Sequence, residues 1–262
     1  MGQIFCIDVC AYAVMSNHYH IVLHLNIWEQ SSLTLREFLT RWRSLYTVNY
    51  LVARYLREEP MCDAETHAIQ EVGEQWQERL AYLSWSMRAL NEGVAREGRF
   101  KSQAPLDEQG LMACMAYVDL NLIRAKMAKT PEQSDYTSAQ KRIREAQQKP
   151  PQAHTPYQPR TLCSFVGYPR EPMPQGLPYR LSDFLELLDW TGRIIRDDKR
   201  GAIPGNTPKV LDRLNIEAKN WLHSAQHFER SFKLFAGKMA SVKAACEALG
   251  YRRIPKVGAL LT

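Results

Sequence analysis

The chain has 262 residues, 45% of them hydrophobic and 24% charged, and its 34 lysines and arginines against 28 acidic residues give a net charge of +6. This is the composition of a soluble globular chain with one or two domains, and the mild positive excess favours polyanionic partners without specifying one. No apolar run approaches the roughly 20 residues of a membrane span, and the six cysteines are dispersed without a Cys-x-x-Cys pair. A membrane partner, a disulfide framework and a zinc knuckle are therefore not indicated, and we expect a cytoplasmic protein.

The first predicted element is an antiparallel hairpin that carries a His-Tyr-His sequence. Residues 4 to 15 alternate loosely in hydropathy, Ser16 and Asn17 are typical of a turn, and residues 18 to 25 form the second strand. Because alternate strand residues point to the same face, His18 and His20 should project side by side, a spacing suited to one divalent metal ion. The same spacing also fits two partly buried histidines bonded to backbone, and His24 continues the row near the end of the strand.

Helices dominate the sequence between residues 31 and 96. A long helical segment over 31–57 interleaves arginines with aromatic residues, a mixture that suits single-stranded DNA. Its aromatic residues also have the spacing of a buried helix face, so we assign most of those rings to packing. A second long helix is predicted over about 66–96, after a break at Glu59-Pro60. Residues 98–106 then form an extended piece, in which Arg99 and Lys101 either contact a DNA backbone or form a solvated basic edge.

Residues 107–129 open with acids and close with bases, which is typical of an amphipathic helix. Tyr117, Asn121 and Arg124 lie at positions i, i+4 and i+7, so a hydroxyl, an amide and a guanidinium share one helix face. A tyrosine on a helix usually packs with its hydroxyl at the edge of the core. The spacing alone does not decide between packing and catalysis.

The rest of the chain is predicted to be a linker followed by helices. Eight prolines between residues 146 and 180 are too many for regular structure and mark a domain boundary. Helices follow at about 182–195, 207–223, 226–236 and 239–249. The last of these has the pattern of a small DNA-contacting helix-turn segment, although an ordinary helical cap fits it better.

Three segments occur in a specific order: AYAVMSNHYHIVLH (11–24), EGRFKSQ (97–103) and AYVDLNLIRA (116–125). Together they resemble the motifs of the single-tyrosine HUH transposases, in particular the REP-associated tyrosine transposases, relatives of the insertion-sequence enzymes that move single-stranded DNA. The resemblance covers roughly residues 4 to 145. It implies an α+β protein with a ferredoxin-like HUH nuclease domain over 1–145, built on an antiparallel sheet, a proline-rich linker over 146–180 and a helical C-terminal extension over 181–262.

The resemblance also implies a mechanism. His18 and His20 would ligate Mg²⁺ or Mn²⁺ together with Asn121, and the Tyr117 phenolate would attack the scissile phosphorus. The products would be a 5′-phosphotyrosine and a free 3′-hydroxyl, and a second 3′-hydroxyl could later rejoin the strands. Arg99, Lys101 and Arg124 would contact the DNA, which we expect to be single-stranded or a hairpin, and the enzyme would act as a monomer or a homodimer.

Two departures from the family pattern keep other functions open. Family members usually carry an additional strand before the one that opens this chain, so we expect a truncated domain whose sheet lacks its first strand. Residues 93 to 100 also lack a tryptophan that is typical of the longer members of the family. The chain would then be an active transposase, an inactive remnant that binds hairpin DNA without cutting it, or a metal nuclease that uses water in place of the tyrosine.

Overall fold

A computed structural model describes residues 4–93, 101–148, 157–167, 176–197 and 207–254. Contacts divide the chain into two compact units: residues 1–8 with 23–100, and residues 9–22 with 101–262. Strands β1 (Ile7–Val14) and β2 (Tyr19–Leu25) form an antiparallel hairpin. The residues at its open end belong to the first unit, and those at its turn belong to the second. The predicted hairpin is thus present, and the protein is α+β.

The first unit is helical and is built around an aromatic core. Trp42 stacks on Trp76 with ring centroids 5.0 Å apart, and both are buried with Phe5, Phe38 and Leu39. The helices of this unit are α1 (Ile27–Ser32), α2 (Leu35–Arg43), α3 (Tyr50–Leu56), α4 (Asp63–Ala81) and α5 (Leu83–Gly93).

The prediction of one helix over 31–57 is wrong, because two capping residues divide the segment. The Thr34 hydroxyl accepts the Glu37 amide and starts α2, and the Asn49 side chain accepts the Val52 amide and starts α3. The new start changes which residues face the core, and Tyr50, one of the aromatic residues of the segment, is 72% exposed. The predicted helix over 66–96 is likewise two helices, with extended backbone at Tyr82.

Most of the arginines in this segment pair with glutamates. Arg41 contacts Glu29 at 2.8 Å, and Arg54 contacts Glu65 at 2.6 Å. Arg36 and Arg57 pair with Glu58 and Glu59. An arginine held by a carboxylate is a weaker phosphate ligand, so the first unit offers less free positive charge than its sequence suggests.

The second unit packs its helices around α6 (Glu108–Asp119). Asp107 caps α6 by accepting the Gly110 amide, and its other oxygen accepts the Lys238 amide at 2.6 Å. The α6 helix packs against α11, and the buried Trp221 of α11 donates its indole N–H to Thr191 of α9. The remaining elements of this unit are β3 (Ala104–Pro105), α7 (Asn121–Arg124), α8 (Ser138–Gln147), α9 (Leu181–Asp197), α10 (Lys209–Arg213), α11 (Ala218–Ser231), β4 (Phe235–Ala236) and α12 (Met239–Ala248).

One hydrophobic core in this unit contains residues from both sides of the predicted proline-rich linker. Cys10 and Ala113 share it with Tyr179 and Trp221, and within the linker Phe165 forms a parallel bridge with Leu177. The short strands β3 and β4 pair in parallel, with Ala104 opposite Phe235. The division into residues 1–145, 146–180 and 181–262 stays a prediction. Within the described ranges, no helix is both long and apolar enough to span a bilayer.

Candidate functional site

The two histidines of the hairpin lie side by side at its turn. The amide of Met15 donates to the His18 carbonyl at 2.9 Å, which closes the turn just before β2. The rings of His18 and His20 have centroids 5.0 Å apart and are almost perpendicular. The Nδ1 atom of His18 is 2.6 Å from the Oδ1 atom of Asn17. Two imidazoles therefore face the same region.

Helix α6 brings Tyr117 to this pair of histidines. The Tyr117 ring is 6.0 Å from the ring of His20, centroid to centroid, and 5.6 Å from that of Phe228 on α11. Because Met115, Ala116 and Val118 occupy the buried face of α6, Tyr117 lies at the edge of the core and is half-buried. Two segments almost 100 residues apart in the sequence thus meet within one unit.

Arg124 lies against the Tyr117 ring and not in open solvent. Its guanidinium carbon is 3.6 Å from the centroid of the ring, the geometry of a cation–π contact. The guanidinium also donates to the Tyr117 carbonyl and, at 3.4 Å, to the Ala225 carbonyl of α11. The predicted i, i+7 neighbours are therefore in contact, and α11 holds the cation in place.

Opposing charges act on the Tyr117 phenol. Burial raises the pKa of Tyr117 above its usual value of 10, and the positive charge of Arg124 lowers it again. The carboxylate of Glu229 raises the pKa further, through its charge and as a hydrogen-bond acceptor. The phenol is therefore protonated at neutral pH, and any role as a nucleophile requires removal of that proton.

The histidine closer to the tyrosine is held in its neutral form. Burial lowers the pKa of His20 below 6.5, the charges of His18 and Arg124 lower it further, and Glu229 opposes the shift. The Nδ1 atom of His20 lies 3.7 Å from a carboxylate oxygen of Glu229. Metal ligation requires neutral imidazole, and a ligating histidine normally directs its other ring nitrogen at a carboxylate, carbonyl or amide oxygen.

One ring nitrogen of each histidine faces a side-chain oxygen: Nδ1 of His18 faces Asn17, and Nδ1 of His20 faces Glu229. Ligation of a divalent cation by the other two ring nitrogens stays a prediction. Asn121, the expected third ligand, is the first residue of α7 and is 7% exposed. In the part of the chain that the structure describes, no group of three or more His, Cys, Asp or Glu side chains could hold a metal ion.

The two remaining predicted DNA contacts lie before β3. Lys101 is exposed and precedes Ala104, where the strand begins. Arg99 lies outside the described residues. The predicted basic segment is therefore represented by Lys101 alone, and its role stays a prediction.

Helix α11 contributes residues that sequence reasoning did not select. Phe228 and Glu229 follow directly after His227, whose φ of −128° and ψ of 28° interrupt the helix. His227 also lies against His223, with ring centroids 5.0 Å apart. An i, i+4 histidine pair is visible in the sequence, but nothing in the local pattern indicates that Glu229 reaches the hairpin.

A buried network fixes the end of α6 that carries Tyr117. Asp119 is fully buried, and one of its oxygens accepts the Ser138 hydroxyl at 2.5 Å and the Ala139 amide at 2.9 Å, at the start of α8. Arg142, equally buried, donates to the carbonyls of Cys10 and Cys163. Burial raises the pKa of Asp119 from 3.8 to about 6, against the effect of both hydrogen bonds and of Arg142.

Comparison with known proteins identifies no relative of this chain. No family model matches the sequence, and neither a curated protein nor a solved structure is significantly similar to it.

Proposed function

We propose that the protein is a DNA transposase that cleaves and rejoins single-stranded or hairpin DNA through a covalent link to Tyr117. The observation that carries this proposal is the meeting of Tyr117 with the His18 and His20 pair, from two motifs far apart in the sequence. A tyrosine placed only for packing would not need the neutral imidazole of His20 at its ring.

The covalent step balances without an energy source. The Tyr117 hydroxyl loses its proton, and its oxygen attacks the phosphorus. A bond forms between the tyrosine oxygen and the phosphorus, and the bond from the phosphorus to the 3′-oxygen breaks. That oxygen takes up a proton and leaves as a 3′-hydroxyl, while the phosphate stays on the tyrosine as a 5′-phosphotyrosine. Since the phosphodiester is kept as an ester, a second 3′-hydroxyl can displace the tyrosine and join new strands.

The histidines would hold the Mg²⁺ or Mn²⁺ that such chemistry requires. A bound divalent cation neutralises the charge that develops on the phosphate oxygens. His18 and His20 would provide their Nε2 atoms, and Asn121 is proposed as the amide ligand from α7. The chain's own contribution is to keep the His20 imidazole neutral by burying it and to place the two rings side by side.

Arg124 serves the nucleophile in this proposal more than it serves the DNA. Its guanidinium stacks on the Tyr117 ring and stabilises the phenolate relative to the phenol. It also fixes the ring through its bonds to the Tyr117 and Ala225 carbonyls. The ferredoxin-like HUH fold, a cytoplasmic location and a monomeric or homodimeric enzyme belong to the same proposal.

The test is a denaturing-gel assay for a covalent adduct. The protein is mixed with a labelled single-stranded hairpin from the flanks of its own gene, in Mg²⁺, Mn²⁺ or chelator. We expect a metal-dependent band of protein-linked DNA that disappears in Tyr117→Phe and in His18→Ala/His20→Ala. Tyr136→Phe is the matched control, because Tyr136 is an exposed tyrosine of the same unit.

Two results would refute the proposal, and each selects another function. Cleavage that leaves no protein on the DNA and survives Tyr117→Phe would identify a nuclease that uses water. Binding of the hairpin without cleavage, unchanged by Tyr117→Phe, would identify a DNA-binding remnant.

A further inference from the structure

Glu229 is the acidic neighbour shared by the two groups at the centre of the site. Its carboxylate lies 3.7 Å from Nδ1 of His20, and it raises the pKa of the Tyr117 phenol. Glu229 belongs to α11, about 110 positions after Tyr117 in the chain. The predicted C-terminal extension therefore reaches the same point as the two motifs that precede it.

The packing of α11 explains why this carboxylate is where it is. The buried Phe228 lies against the Tyr117 ring, and the Ala225 carbonyl accepts from Arg124. The first contact anchors α11 to α6 and the second anchors it to α7, both beside Tyr117. The interruption at His227 then changes the direction of the last turn, so that Phe228 points into the core while Glu229 is more than half exposed at the hairpin.

We infer that Glu229 is a positioning residue that fixes the orientation and tautomer of His20, an inference that rests on the proposed function. A carboxylate facing Nδ1 favours the proton on that nitrogen. The lone pair is then on Nε2, on the far side of the ring from Glu229. This is the arrangement in which a metal-ligating histidine is held by an outer carboxylate. Helix α11, which lies in the predicted C-terminal extension, is thus part of the site.

The inference is tested in the metal-free protein without DNA. Long-range proton–nitrogen spectra of histidine-labelled protein report which ring nitrogen carries the proton, and the His20→Gln spectrum assigns the signals. We expect His20 to be protonated at Nδ1 in the wild type and to shift towards the Nε2 tautomer in Glu229→Ala. Glu229→Gln retains an acceptor oxygen and should keep the Nδ1 proton, and Glu247→Ala, which removes an exposed glutamate of α12, should change nothing.

Metal affinity is the second readout. Loss of a carboxylate that orients a metal-ligating histidine typically lowers the affinity for the metal ion by about 10- to 100-fold. Because Glu229 is partly exposed, we expect an effect at the lower end of this range. We therefore expect Mn²⁺ to bind about tenfold more weakly to Glu229→Ala, with an unchanged melting temperature. An unaltered His20 tautomer in Glu229→Ala would overturn the inference.

The inference and the proposed function fail separately. If the covalent adduct forms but the His20 tautomer does not depend on Glu229, only the positioning role is lost. If the tautomer depends on Glu229 but no adduct forms, the geometry of His20 is correct and the transposase chemistry is not.

Discussion

Replacing the buried Asp119 by asparagine should remove a pH dependence of stability that can be calculated from its surroundings. The pKa of Asp119 is about 6 in the folded protein, against an ordinary value of 3.8. A raised carboxyl pKa means that the stabilising contribution is complete below pH 3.8 and is lost as the pH rises through 6. This rise in pKa corresponds to about 3 kcal/mol.

The asparagine variant isolates this effect from the other carboxylates. Its side-chain oxygen can still accept the Ser138 hydroxyl and the Ala139 amide, as the protonated acid does. At pH 3.5 we therefore expect Asp119→Asn and the wild type to have similar free energies of unfolding. At pH 7 the free energy of unfolding of the variant should be about 3 kcal/mol higher than that of the wild type, because asparagine carries no buried charge.

Urea unfolding of both proteins between pH 3.5 and 7, in chelator, measures the difference. Subtracting the two curves cancels the titration of every group that the proteins share. A difference that stays constant within about 0.5 kcal/mol over this range would refute the reasoning. A variant that loses stability towards neutral pH would show that Arg142 compensates the carboxylate more strongly than burial penalises it.

Three further substitutions test the packing around α6. Gly110→Ala should lower the stability by about 1–3 kcal/mol in thermal unfolding, because the added Cβ would lie 2.3 Å from the Ala236 carbonyl oxygen; an unchanged melting temperature would contradict this contact. Trp221→Phe should cost about 2 kcal/mol in urea unfolding, since it shortens a buried side chain and removes the bond to Thr191, and a neutral result would mean that the site is looser than the structure shows. Tyr117→Phe should change stability by less than about 1 kcal/mol, because the ring contacts are kept, and a larger loss would make its adduct phenotype a folding effect.

The parts of the fold that follow from local chemistry could be predicted from the sequence. Alternating hydropathy and the Ser16-Asn17 turn predict the hairpin, and the acid-to-base order of residues 107–129 predicts a helix that carries Tyr117. The predicted single helix is two in the structure, because α6 ends at Asp119 and the short α7 ends at Arg124. The division of residues 31–57 into separate helices was missed, although Thr34 with Glu37 is a capping box. The prediction followed the continuous spacing of apolar residues and gave too little weight to the cap, which contributes about 1 kcal/mol.

From periodicity alone, the candidate site could be predicted only where its residues are close in the sequence. The strand period places His18 beside His20, and the helix period places Arg124 near Tyr117. That Glu229 and Phe228 reach the same place depends on how α11 packs on α6 and on the break at His227, which no local pattern encodes.

The charges around Tyr117 explain why the proposed chemistry should depend strictly on a divalent cation. Of the two charged groups that act on the phenol, Arg124 is largely occupied by the tyrosine ring and by backbone carbonyls, whereas Glu229 is more than half exposed. In the proposed function, a phosphodiester that approaches the phenol therefore meets the exposed negative charge before the occupied positive one. Repulsion between a DNA phosphate and the Glu229 carboxylate is only partly screened at physiological salt if the two lie within the Debye length of about 8 Å. A cation held by His18 and His20 would reverse the local sign, so the same carboxylate that orients His20 would also keep DNA from settling on the tyrosine before the metal is bound.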